Sequence, residues 1–346
     1  MTKKIFNLKT KSYLRFLCKQ QHSSYLLSCS TGTQNKRKKK KVLFVSSGRH
    51  KTGINPIIKN QGESLQKENI EIDYFPIKGK GIRGYLKSIL SLRSYLQKNN
   101  YDVVHAHYWL SAIVASFAGA KPMLVSLMGD DVKANAWSKW IIYLFSYLSW
   151  SNVIVKSQDM YDTLGLKKAI IIPNGVNLKC FRNIKKEEAL NKVSWDKTKK
   201  HVLFTSDPKR VEKNFELTKE AFTLLDDKNV ELHYLKDIPN EEIPFHYNAA
   251  SVVILTSLWE GSPNAIKEAM ACSVPIVATD VGDIRQIIST TDACYLCDFD
   301  AIQIASKLKE ALLFEGKTEG KKAIEHLSSE HIAKKIIEIY NDTKGK

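Results

Sequence analysis

The chain has 346 residues, 43% of them apolar and 26% charged, which is enough for two ordinary domains with complete cores and typical of a soluble globular protein. Of its net charge of +17, twelve units lie in residues 1–41, which contain no acid, so the other 305 residues carry only +5. That distribution argues against a folded nucleic-acid-binding surface. Six scattered cysteines argue against a disulfide framework, and no apolar run reaches the roughly 18 residues needed to cross a bilayer.

In chain order, residues 1–41 predict a basic, disordered extension ending in Lys36-Arg-Lys-Lys-Lys-Lys41. Two readings of it stay open. One is an unstructured arm. The other is electrostatic attachment to an anionic membrane surface, with Tyr13, Leu14, Phe16, Leu17 and Tyr25-Leu-Leu27 adding apolar contacts. Its apolar stretches are too short and too interrupted for a secretory signal, so the expected location is cytoplasmic, with peripheral attachment to the membrane face as an option. From Val42 onward, short β-rich runs alternate with helical patterns. The first set falls at 42–46, 70–75, 103–106, 123–127 and 153–155, with Leu86, Ile89, Leu90 and Leu96 at helical spacing in 82–98. The apolar pattern at 140–150 is too short to span a membrane and reads as a buried or interfacial helix. The second set falls at 202–205, 230–235, 252–255, 275–278 and 294–296, with helical patterns at 212–225 and 241–250.

Alternating βα units imply parallel sheets, and two such sets imply two facing Rossmann-like α/β domains. The expected division is residues 42–178, a polar linker at 179–200, then 201–328 and a terminal helical segment at 329–346. Strand ends then carry the candidate chemistry, because open α/β sheets bind ligands there. Gly48-Arg-His-Lys-Thr-Gly53 follows the first strand. Asp102-Val-Val-His105-Ala-His107 places two imidazoles on the same face of the third. Gly129-Asp130-Asp131 follows the fourth, and Pro173-Asn-Gly175 makes a tight turn after 170–172. In the second half, Arg210 and Lys213 stand three apart at a predicted helix start, where a planar guanidinium and a compact ammonium suit a diphosphate; Lys209 is the alternative cation.

The most informative stretch is Glu260-Gly-Ser-Pro-Asn-Ala-Ile-Lys-Glu268. Ser262 is a good N-cap and Pro263 suits a first helical turn, so the helix start offers free N–H groups and a positive dipole end to a phosphate. Asn264 and Glu268 share one face, while Ile266, Ala269 and Met270 point to the core. One carboxylate at the mouth and another a turn inside fit hydroxyls on two parts of one ligand, as in a sugar nucleotide. Val281-Gly282-Asp283 follows the next strand. Cys294-Tyr-Leu-Cys297 has a metal-like spacing but no second ligand pair, and reads as buried thiols.

Residues 260–268 with their flanks resemble the E-x7-E signature of glycosyltransferase family 4, retaining enzymes of the GT-B fold. Pro173-Asn-Gly-Val-Asn177 is similar to the Pro-Asn-Gly-Val-Asp that this family carries before its interdomain linker, with Asn177 in place of the acid. The resemblance covers roughly residues 42–340 and rests on four short motifs. It implies a nucleoside-diphosphate sugar, with uridine the commonest carrier, bound to the second domain. It also implies a glycan or lipid-linked acceptor at the first domain, in surface polysaccharide or glycolipid synthesis. Carried over residue by residue, it implies catalytic roles for His107, Glu260, Arg210 and Lys213. It puts the donor on Glu268, Gly261, Ser262, Asn264, Ala265 and Gly282, and the acceptor near Gly53, His105 and Asp131. No metal or other cofactor is implied, and the helical pattern at 330–340 is expected to cross back onto the first domain. Two departures stand out: Ser206-Asp207-Pro208 replaces a glycine-bearing turn, and the loop at 48–53 lacks a double glycine. They leave open an inactive GT-B-fold binding protein tethered to membrane by its basic tail. A sugar-nucleotide epimerase acting on donor alone is a further alternative.

Overall fold

The computed structural model describes residues 39–48, 50, 53–78, 81–129 and 136–343. The basic arm up to residue 38 and Asp131 lie outside the described residues. Strands β1 (Lys41–Ser47), β2 (Glu71–Ile77), β3 (Val103–His107), β4 (Met123–Ser126), β5 (Asn152–Val155) and β6 (Ala169–Ile171) form one parallel sheet in the order β2-β1-β3-β4-β5-β6. Strands β7 (Lys200–Phe204), β8 (Val230–Tyr234), β9 (Val252–Leu255), β10 (Ile276–Thr279) and β11 (Cys294–Cys297) form a second, in the order β11-β10-β9-β7-β8. The predicted runs are these strands. Continuous runs such as Val42 to Val45 and Val252 to Leu255 are almost fully buried, as expected where helices cover both faces of a parallel sheet.

Chain order reverses between β1 and β3 in the first sheet, and between β7 and β9 in the second. A reversal splays the two following connections apart and leaves a crevice at the strands' carboxyl ends. Both crevices are used below.

Three local expectations need correction. Lys41 is not part of an arm but the first residue of β1, with its ammonium 3.2 Å from both Glu71 and Asp73. The polar stretch at 179–200 contains a helix, Lys186–Val193, whose Ala189 and Leu190 pack with Ala249 of the second half. The helical pattern at 212–225 is broken into a 3-10 turn, Val211–Lys213, and a helix, Phe215–Leu225. Between them Asn214 takes a left-handed backbone (φ 53°), which asparagine tolerates. The Thr256 hydroxyl sits 3.1 and 2.8 Å from the carbonyl oxygens of Lys213 and Asn214 and holds this break in place.

The last helix, Ser329–Asp342, crosses back to the first sheet as expected. Its entry is pinned by Val176 N–H to Leu327 O (3.0 Å) and Ser329 N–H to Val176 O (2.8 Å). Ile332, Ile336 and Ile339 are buried, and the Tyr340 hydroxyl lies 2.7 Å from His105 Nδ1 beneath β3. Farther on, Asn152 Nδ2 donates to Thr343 Oγ1 at 3.0 Å. Tyr340→Phe removes the hydroxyl and leaves a buried imidazole nitrogen unpaired. It should cost about 1–3 kcal/mol in urea unfolding with an unchanged slope; an unchanged midpoint would show that this bond does not anchor the crossing helix.

Candidate active site

The two crevices merge into a single cleft of about 620 Å³, lined from the first half by residues such as His50, Asn55, Gly129 and Lys156 and from the second by Arg210, Lys213 and the whole of 259–265. The halves touch backbone to backbone at its floor. A Cβ on Gly129 would lie 3.0 Å from Gly261 N, and one on Gly261 would lie 3.0 Å from Gly129 Cα. Neither position has room for a side chain.

The helix Asn264–Ala271 begins at this contact, but its N-cap is Pro263 and no side chain caps it. Ser262 does something else. Its hydroxyl accepts from Lys267 Nζ and donates to Asp283, each at 2.5 Å. Lys267 is fully buried and also reaches the Asn174 carbonyl at 3.0 Å. Burial lowers the Lys267 pKa and raises that of Asp283, and the charge of each works against the other's shift. The uncapped N–H groups of the first turn therefore remain for a ligand, beside Asn264 and Ala265 in the cleft wall. Asn264 Oδ1 is buried and has no protein partner.

Two cations of the cleft rest on carboxylates, Lys213 on Glu260 and Arg210 on Glu212. Glu260 Oε1 accepts from Ser257 Oγ at 2.7 Å and from the Lys213 ammonium. Arg210, largely exposed, holds Glu212 through Nε at 2.7 Å and Nη2 at 2.6 Å. Glu268 Oε2 accepts from the Tyr247 hydroxyl at 2.9 Å. Burial pushes the Glu268 carboxyl up to about 7, against the opposing pull of the Tyr247 bond and the Lys267 charge.

Glu260, Gly261, Ser262, Asn264, Ala265, Glu268, Arg210 and Lys213 all line the cleft. Four other residues do not. His105 spends both ring nitrogens inside the fold, on Tyr340 and on Ser126 Oγ at 2.8 Å, so it props β3 and does not face an acceptor. His107 is 1% exposed, packed between His105 and Phe44 at centroid distances of 4.3 and 4.6 Å. The alternation that puts both imidazoles on one face of β3 puts both on its buried face. His107 Nε2 has no protein partner, and burial with the Lys156 charge lowers its pKa to about 3, so the ring is neutral. Gly282 (φ 64°) lies behind the Glu260 loop, where a Cβ would sit 2.8 Å from Gly261 O. Gly53 (φ 78°) closes a turn onto His50 O at 2.8 Å, and it is His50 and Asn55 that line the cleft.

Sequence reasoning missed Lys156, Tyr247, Trp259 and Lys267. Lys156 could have been found, since it closes the apolar run Val153 to Val155 at a strand's carboxyl end. Tyr247 and Lys267 act through contacts that no local pattern announces. Among the described residues, His201, Glu231 and His233 bring ligand-type atoms together on β7 and β8; His201 Nδ1 and His233 Nε2 lie 3.0 Å apart and neither lines the cleft. Burial pushes the thiols of Cys294 and Cys297 up to about 12 and 11, which leaves them poor ligands and nucleophiles.

Two parallel α/β sheets facing one cleft across their switch points, strapped by a terminal helix on the first, define the GT-B fold. Solved structures agree. Sucrose-phosphate synthase from Thermosynechococcus elongatus superposes with a TM-score of 0.70 at 17% identity, over 88% of this chain and 98% of that one. Anabaena HepE in complex with UDP and glucose superposes at 0.66 and 14% identity, over 88% of this chain and all of that one. Residues 16–179 match the family described as Glycosyltransferase Family 4, and residues 202–313 the family described as Glycosyl transferases group 1. The chain belongs to the family 4 type of GT-B glycosyltransferases. Among its relatives, a Bacillus subtilis protein named for teichuronic acid biosynthesis, TuaC, is 25% identical over 57% of this chain; the likeness spans 58% of TuaC, less than two thirds of its length. The UDP-Gal:alpha-D-GlcNAc-diphosphoundecaprenol alpha-1,3-galactosyltransferase of Escherichia coli is 24% identical over 63% of this chain and 67% of that protein.

The raised Glu268 pKa makes a stability prediction. Folded, this carboxyl holds its proton to about pH 7; unfolded, to its ordinary 4.5. Its contribution is therefore fully present below about 4.5 and is lost as pH rises to about 7. Glu268→Gln escapes that loss. Relative to wild type it should gain on the order of 2 kcal/mol between pH 5 and pH 8 in thermal unfolding; parallel profiles for the two proteins would place the ionised carboxylate in water and contradict the burial.

Proposed function

We propose that this chain is a retaining glycosyltransferase that moves a sugar from a nucleoside-diphosphate sugar, with uridine the first candidate base, to a glycan or lipid-linked acceptor at the cytoplasmic face of a membrane. The observation that carries the reading is the uncapped start of the helix Asn264–Ala271, with Arg210, Lys213 and Glu268 around it. Glu268 holds the ribose hydroxyls. Lys213 turns from Glu260 to the diphosphate and frees Glu260 for hydroxyls of the transferred sugar. Arg210 and the helix N-terminus complete the cradle that takes up the charge of the departing diphosphate, the kind of electrostatic stabilisation that usually dominates catalysis. The bond from the sugar's anomeric carbon to the diphosphate breaks as that carbon bonds to the acceptor oxygen on the same face, and the acceptor's proton passes to the leaving phosphate. No metal is required in this scheme. The relatives support a surface-glycan context: one is named for teichuronic acid synthesis, the other for a diphosphoundecaprenol-linked acceptor.

Calorimetry with UDP, GDP and ADP tests the donor side. One nucleotide should bind at micromolar concentration, unaffected by a chelator, and weaken at least about tenfold in both Arg210→Ala and Glu268→Ala. Absence of binding to all three would overturn the reading in favour of an inactive GT-B-fold protein. For the first turnover product found, proton NMR of the anomeric centre decides the stereochemistry, and an inverted centre would refute the retaining scheme.

A further inference from the structure

The helix Ala136–Leu148 packs Ile142 and Phe145 on the core and turns a second, aromatic face outward. An amphipathic helix ordinarily buries its apolar stripe. Here Ser138 and Ser146 are buried alongside Ile142, while Trp137 and Trp140 stand 72% and 60% exposed, with Tyr143, Tyr147 and Leu148 exposed on the same side. The outward rings cover one another, Trp137 with Trp140 at 6.0 Å and Tyr143 with Tyr147 at 5.0 Å between centroids. The apolar surface continues onto two neighbours. Exposed Phe117, at the end of the helix Trp109–Ala118, meets Phe145 edge-on at 5.6 Å. Its carbonyl accepts from Arg93 Nη2 at 2.7 Å, and Arg93 belongs to the helix Gly81–Lys98, which exposes Leu86 and Leu90. Among the described residues, packing leaves about half or more of each of these exposed side chains uncovered.

The charge these helices carry has one sign. Residues 74–101 contain six Lys or Arg and no acid, and the helix Ala136–Leu148 carries Lys139 and no acid. A protein partner's interface core would be depleted in lysine. Tryptophan and tyrosine interleaved with lysine are instead the composition of a membrane–water boundary, where rings lie at headgroup depth and ammonium groups meet lipid phosphate. We propose that the face built by the helices Gly81–Lys98, Trp109–Ala118 and Ala136–Leu148 docks on an anionic lipid bilayer. It is distinct from the basic arm and independent of which donor the cleft takes. In sequence, six residues separate Gly129, in the cleft wall, from the docking helix.

The test is co-sedimentation of the full chain with vesicles of phosphatidylcholine, with and without phosphatidylglycerol, in the absence of nucleotide. The protein should pellet with the anionic vesicles, its tryptophan emission should shift to the blue, and partition should fall roughly tenfold or more in Trp137→Ser/Trp140→Ser. Nucleotide affinity of that double variant should equal the wild type's, which separates failure of this proposal from failure of the donor-site reading. The proposal is overturned by failure to pellet with anionic vesicles, or by equal partition of wild type and variant, which would assign the attachment to other residues. A stable wild-type dimer that the variant dissolves would assign the face to a second copy of the chain instead.

Discussion

The buried ammonium of Lys267 ties three loops of the cleft together. Lys267 connects the Asn174 carbonyl, in the turn that ends the first half, to the Ser262 hydroxyl in the Glu260 loop, and through that hydroxyl to Asp283 after β10. A charge taken out of water is tolerated only when all of its partners are in place, so such a group tends to enforce one arrangement more than it adds stability. Here the enforced arrangement includes the Gly129–Gly261 contact, the Glu260 backbone lying on Gly282, and the open first turn of the helix Asn264–Ala271. Ser262 is recruited to this cluster and is lost as a helix cap. The helix start is thereby left unsatisfied by the protein, and an anion-binding site results from a structural demand made one turn away.

Several polar groups of the cleft hold one another. Lys213 rests on Glu260, Arg210 on Glu212, and Glu268 shares a bond with Tyr247. An anionic ligand taken up by Lys213 or Arg210 replaces a carboxylate there, charge traded for charge. Glu268 is the exception. With its pKa near 7, it is poised between a neutral acid and an acceptor-only carboxylate, and a pair of hydroxyl donors would favour the ionised form.

Local pattern accounts for what could be read from the chain. Runs such as Val42 to Val45 announce strands, the alternation of strand and helix announces parallel sheets, and the spacing of Glu260 and Glu268 survives because both lie on one short strand–loop–helix unit. Long-range pairing accounts for what could not. Whether His105 and His107 face cleft or core depends on Tyr340, 235 residues from His105, arriving beneath β3. That Ser262 would not cap its helix depends on Asp283, 21 residues away. The pairing of Lys213 with Glu260 spans 47 residues, and a sequence reading assigns the two to separate parts of a ligand. The helix Ala136–Leu148 carries apolar side chains on a buried and on an exposed face, because apolar residues mark a face without saying whether protein covers it.

The crossings between the halves are also adjacent to each other. Val176, on the outgoing chain, and Ser328, on the returning one, form a parallel bridge, flanked by the hydrogen bonds of Val176 to Leu327 and Ser329. Two covalent connections placed side by side tie the halves together at one point. Gly129 and Gly261, meeting across the cleft floor, are a second point of close contact. A bulkier residue at either glycine would therefore push the halves apart at the floor without replacing any group that bears charge.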